Sequence, residues 1–168
     1  AEPPAAQYRR AAERGTLIHA LFERLPDAEA ASREEAGRRY LARHGAAFDV
    51  EERERMLAAV LAIITDPDHA ALFGPGSLAE VPFSAVVAGR VIAGTVDRLL
   101  ITDTKVVVID YKSGRFVPEN PEMVQPAYLR QMAAYAAALG AIFPGRSIEA
   151  QLLYSHAPRA IILPPALL

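Results

Sequence analysis

The chain has 168 residues, a formal net charge of −2 and 52% hydrophobic residues. This fits one domain with a real core and excludes a disordered chain or a globally basic nucleic-acid binder, although a local groove can still gather positive charge. It has no cysteine, so disulfides, thiol chemistry and cysteine-ligated zinc or iron–sulfur centres are excluded within it. No apolar run reaches the roughly 18 residues that cross a bilayer, and no signal peptide is visible.

The start, AEPPAAQ, lacks methionine and reads as a Pro/Ala linker. The expectation is a linker and run-in to the first helix over residues 1–13 and a single domain over 14–168, cut from a longer protein. Leu17, Ile18, Leu21, Phe22 and Leu25 recur at helical spacing within a helix over about 5–25 that Pro26-Asp27 stops; His19 lies near the border of that apolar stripe. Residues 28–44 predict a charge-rich helix whose interleaved Glu and Arg make a solvated face. Residues 49–66 predict an amphipathic helix capped by Asp49. From Glu80 to Lys112 the chain turns to Val, Ile, Phe and Thr, giving a three-strand meander over about 79–87, 91–101 and 105–112. A helix over 122–139 follows, with Gly140 suited to its end, then a strand through SIEAQLLYS. The tail RAIILPPALL adds an edge strand or packs as a short arm. The order of elements predicts an α/β fold, a mixed sheet flanked by helices.

The meander carries the chemistry. If its second and third strands pair about TDTK, with Thr102 opposite Lys105, then Asp97 falls directly across from Asp110 with Cβ atoms about 5 Å apart, and Lys112 shares their face. Two such carboxylates among Val and Leu need neutralising, either by a proton or by a cation. A hard divalent ion there polarises a phosphoryl oxygen and acidifies a bound water, and a neighbouring lysine stabilises developing charge. Phosphodiester hydrolysis is the chemistry this set suits.

GTVDRLL and VVVIDYKSG resemble the core of the PD-(D/E)XK nuclease superfamily, with Asp97 as first acid and Asp110-Tyr111-Lys112 as the (D/E)XK element. Gly15 and His19 in RGTLIHALFE, Glu80 before Pro82-Phe83, and Gln131 and Tyr135 in LRQMAAYAAAL follow the RecB-type branch, over roughly residues 14–155. The nearest likeness is the C-terminal nuclease domain of AddA-type helicase–nuclease subunits; the missing cysteines separate the chain from iron–sulfur relatives. The resemblance implies a restriction-endonuclease-like fold, with a crossover helix between meander and further strand, and a cytoplasmic, nucleoid-associated DNA-repair nuclease. It would use Mg²⁺, with Mn²⁺ able to substitute, on DNA presented as a single strand. Its partners would be parent helicase domains and an AddB-type second subunit.

The same resemblance makes His19, Asp97, Asp110 and the backbone carbonyl of Tyr111 metal ligands and Lys112 the catalytic lysine. Gln131 and Tyr135 would contact DNA or support the site. Glu80 would act near the metal or structurally, and Ser113 and Arg115 would reach phosphate. His44, His69 and His156 read as surface or packing residues. A nuclease-like module that binds without cutting and a stand-alone phage-type exonuclease are the competing readings.

Overall fold

In a computed structural model describing residues 3–168, four helices and five strands form a single mixed sheet with helices on both faces. Helices α1 (Pro4–Arg24), α2 (Arg33–His44) and α3 (Val50–Ile64) precede strands β1 (Ser77–Val87), β2 (Arg90–Ile101) and β3 (Lys105–Lys112). Helix α4 (Pro126–Ile142) then leads to β4 (Ser147–Tyr154) and β5 (Arg159–Leu163). The strand order is β1-β2-β3-β4-β5; every neighbouring pair is antiparallel except β3–β4, which is parallel and joined through α4. A parallel pair needs such a crossover, and a helix lying on the sheet supplies it. The tail takes the edge-strand course, with Ile161 paired to Leu152.

Two cores form, one on each face. Leu17, Ile18, Leu21 and Phe22 of α1 pack with residues of α2 and α3 against Val107, Ile109 and Tyr111. Met132, Ala138 and Leu139 of α4 pack against Val106, Val108, Leu152 and Tyr154. The alternation along β3, which is buried nearly throughout, sends its odd residues to one core and its even ones to the other. Asp49 caps α3 by accepting from the Glu52 amide at 2.8 Å, while Glu52 answers the Asp49 amide at 3.0 Å, completing a capping box. The charge-rich segment is a solvated face: Arg39 pairs with Glu35, and Arg38 with Glu34 and with Glu54 of α3.

Helix α4 differs from the expected span. It begins at Pro126 and continues through Gly140 to Ile142, while Pro121–Met123 form a separate 3-10 turn. Pro126 is its first residue because a proline there forfeits no helical hydrogen bond. Most of residues 1–13 is already helix, since α1 starts at Pro4; residues 1–2 lie outside the described chain.

The α2–α3 contact is tight enough to need glycine. A Cβ at Gly37 would lie 2.3 Å from Leu57 Cδ1 and 3.4 Å from Leu25 Cδ1. Leu57 is buried and has little room to retreat. Gly37→Ala is expected to lower stability by about 1–2 kcal/mol despite alanine's better helix propensity. In urea unfolding its cost should shrink in a Leu57→Ala background; an additive double mutant contradicts the clash.

Candidate metal centre and active site

The turn Thr102–Lys105 sets the β2–β3 register. Thr102 N donates to Lys105 O at 2.8 Å, and Lys105 N donates to the Thr102 hydroxyl at 3.0 Å. Pairing then runs Ile101↔Val106 to Arg98↔Ile109, the register read from the sequence. One detail differs. The ladder stops a residue short of the two acids, and Asp97 Oδ2 instead accepts the Tyr111 amide at 2.7 Å. The expected directly facing carboxylate pair is thus replaced by an offset one, because Asp97 uses its side chain where the ladder would use its backbone.

A matching irregularity lies in β1. Its pairing with β2 passes from Ala79↔Arg98 to Val81↔Val96, leaving Glu80 and Asp97 out of the ladder, and Glu80 has φ +52°. For a glutamate this left-handed backbone costs of the order of 1–3 kcal/mol, and such strain concentrates at functional sites. Val96 and Leu99 both enter the core under α4, although strict alternation would separate them. The strand therefore rotates at Asp97–Arg98. Asp97 turns toward α1's histidine, and Arg98 enters the core under α1.

His19, Glu80 and Asp97 each offer a ligand atom, all within 4.8 Å of one another, the one such group among the described residues. His19 Nδ1 lies 3.5 Å from Asp97 Oδ1, and its ring meets the Tyr111 ring edge-on. Asp110 stands beside this group, buried, with its Oδ2 2.6 Å from Lys112 Nζ. The same ammonium donates to Gln131 Oε1 at 3.1 Å and lies 3.9 Å from the centre of the Tyr128 ring. Gln131 Nε2 in turn donates to the Tyr135 hydroxyl at 3.3 Å. Gln131 and Tyr135 therefore support the lysine from α4, and Tyr128 adds a cation–π contact.

Charge is concentrated here. Burial, then the Asp97 carboxylate, raises the Asp110 pKa against the pull of Lys112. Burial, then Asp97 and Glu23, raises that of Glu80. At His19, burial alone would lower the pKa, but the hydrogen bond and charge of Asp97, with Asp110 behind it, raise it. Acids whose ionised forms repel one another, grouped with one imidazole, are a donor set suited to a divalent cation. An imidazole beside carboxylates also welcomes Mn²⁺.

The loop after Lys112 packs onto α1. A Cβ on Gly15 would lie 2.8 Å from Ser113 Oγ, and Arg14 Nη1 donates to Ser113 O at 3.0 Å. Gly15 thus lets this loop reach the helix one turn before His19. Arg115 is exposed and, with Arg55, contributes repulsion that adds to burial in lowering the Arg14 pKa. Sequence reasoning missed the roles of Arg14 and Arg98, since both depend on contacts distant along the chain.

The family model for the PD-(D/E)XK nuclease superfamily matches residues 1–161. The chain belongs to the PD-(D/E)XK nuclease superfamily. Its mixed five-stranded sheet with flanking helices is the restriction-endonuclease-like arrangement of that superfamily, whose nucleases use divalent metals. No curated protein sequence matches the chain. Among solved structures, that of SSO0001 is similar at 17% identity, covering 87% of this chain and 65% of its own, with a TM-score of 0.37; so distant a likeness decides nothing. No helix among the described residues is long and apolar enough to cross a membrane.

The His19–Asp97 contact makes a pH prediction for the metal-free domain. The folded pKa of His19 is raised, so its contribution is fully present below about pH 6.5 and disappears as pH rises through the folded value. Partial exposure limits it to about 1 kcal/mol. With chelator present, the stability difference between wild type and His19→Gln should be largest near pH 6 and shrink by pH 9. A difference that grows over that range contradicts the assignment.

Proposed function

We propose that this domain is a divalent-metal-dependent deoxyribonuclease of the RecB-type branch, cutting single-stranded DNA as the nuclease domain of an AddA-type helicase–nuclease. The observation that carries this reading is Lys112. Its ammonium is 2.6 Å from Asp110 and fixed by Gln131 and Tyr128, beside a group of three metal donors. A lysine held this way against a buried acid is poised for phosphate chemistry rather than for a surface ion pair. The order and spacing of the Gly15–His19, Glu80, Asp97, Asp110–Lys112 and Gln131–Tyr135 motifs favours the RecB branch. The missing cysteines leave no cysteine-ligated iron–sulfur cluster in this chain and favour the AddA side.

His19, Asp97, Asp110 and the Tyr111 carbonyl would hold the ion, with Glu80 joining from β1. When bound, Mg²⁺ or Mn²⁺ supplies charge to polarise the phosphoryl group and to acidify a water. Asp97 keeps the Tyr111 backbone in register for this set through its amide bond. Lys112 stabilises charge developing on a phosphate oxygen, and Gln131, Tyr128 and Tyr135 hold that ammonium in place. Ser113 and Arg115, next along the chain, would take neighbouring phosphates. The implied setting is double-strand-break processing in the bacterial cytoplasm, with helicase domains and an AddB-type subunit as partners.

A labelled single strand incubated with the domain and Mg²⁺ or Mn²⁺ tests this. Lys112→Ala should lose at least about 100-fold in cleavage, and Asp110→Ala should lose it entirely, with cooperative unfolding retained in both. Undiminished cleavage by either variant would sink the site assignment.

A further inference from the structure

Arg98 follows Asp97 directly, and its side chain runs inward to the core under α1, where it is only 2% exposed. No carboxylate pairs with it among the described residues. All its partners are neutral: Nε donates to the Tyr111 hydroxyl at 2.9 Å, Nη1 to Ser77 Oγ at 2.8 Å and Nη2 to the Phe22 carbonyl at 2.9 Å. Its guanidinium also lies over the Phe73 ring, 5.0 Å from the centroid. One planar fork thus ties together α1, β1, β3 and the turn before β1. Burying an unpaired cation is unfavourable, and a packed apolar side chain would hold a core at least as well. The arrangement makes sense if fixed geometry is what the site needs.

The geometry served is that of the proposed metal set. Tyr111 is gripped at both ends by consecutive β2 residues, its amide by Asp97 and its phenol by Arg98. The Phe22 carbonyl lies one helical turn beyond His19, so the third bond sets how far α1 stands from the sheet. Phe22 and Tyr111 also stack, with centroids 4.2 Å apart. We propose that Arg98 is a positioning residue for the metal centre, a buried strap that holds the His19 helix and the Tyr111 backbone at the spacing Asp97 requires. This inference rests on the reading of His19 and Asp97 as ligands. Because a guanidinium fork is needed, lysine should not replace it.

The test is Mn²⁺ binding, measured without substrate. Wild type, His19→Gln, Arg98→Met, Arg98→Lys and Tyr111→Phe are titrated by calorimetry. The bound Mn²⁺ is then examined by pulsed EPR for imidazole nitrogen modulation. Wild type should show that modulation, and His19→Gln should lack it. Both Arg98 variants should bind Mn²⁺ about 10- to 100-fold more weakly and lose most of the modulation. Tyr111→Phe removes one leg of the strap and keeps the backbone carbonyl, so it should show an intermediate loss; it decides the matter if the Arg98 variants fail to melt cooperatively. Wild-type affinity and modulation in every folded variant would overturn the role given to Arg98. Wild type itself without imidazole modulation would overturn the metal-site reading beneath it.

Discussion

The hydrogen bond from the Tyr111 amide to the Asp97 carboxylate is where the fold becomes a site. Upstream of it, β2 and β3 are an ordinary antiparallel pair, set by the Thr102–Lys105 turn and held by apolar residues on both faces. At that bond the ladder passes from backbone to side chain. A carboxylate takes the place of a carbonyl, which brings negative charge to the end of a buried strand without leaving the Tyr111 amide unsatisfied. Had the ladder continued, Asp97 would have been free to face Asp110 squarely. The offset instead leaves Asp97 open to His19 and Asp110 open to Lys112.

Each face of the sheet then contributes one support. The α1 face brings His19, and the aromatic stack of Phe22, Tyr111 and Phe73 packs beneath it. The α4 face brings Gln131, Tyr128 and Tyr135 around Lys112. Close approach on this second face is allowed by Gly94, where a Cβ would lie 3.3 Å from Phe83 and 3.5 Å from Tyr135. Gly15 plays the matching part on the first, admitting Ser113 to α1. The two glycines stand where backbones and side chains from distant segments must come close, which accounts for their places in the motifs.

What the sequence made legible was local or periodic. The turn fixes the register, the period of two assigns the faces of β3, and the spacing of four puts Gln131 and Tyr135 on one side of α4. The capping box at Asp49 is equally local. What it could not show depends on rotation and on long-range contact. The left-handed φ of Glu80 has no signal in a residue type that rarely adopts it, and it coincides with the rotation of β2 at Asp97. Side-chain alternation separates Arg98 from Asp97, but it does not say that the guanidinium finds Phe22, Ser77 and Tyr111. The start of α4 was obscured because Glu122 and Met123 suit a helix as well as Ala and Leu do, while Pro126 permits but does not demand a beginning.

Charge balance within the cluster offsets part of its own repulsion. Asp110 has Lys112 as an internal counter-charge, and Asp97 has the Tyr111 amide and His19. Glu80 is the member with neither an ion pair nor a cap among the described residues; it is exposed, its pKa is raised, and its backbone is strained. Stability alone would favour glycine or asparagine at that φ and a neutral side chain beside Asp97. A carboxylate held there against both preferences is explained if its place in the cluster matters more than its contribution to the fold. Glu80 is thus what β1 adds to a cluster whose other acids and lysine stand on β2 and β3.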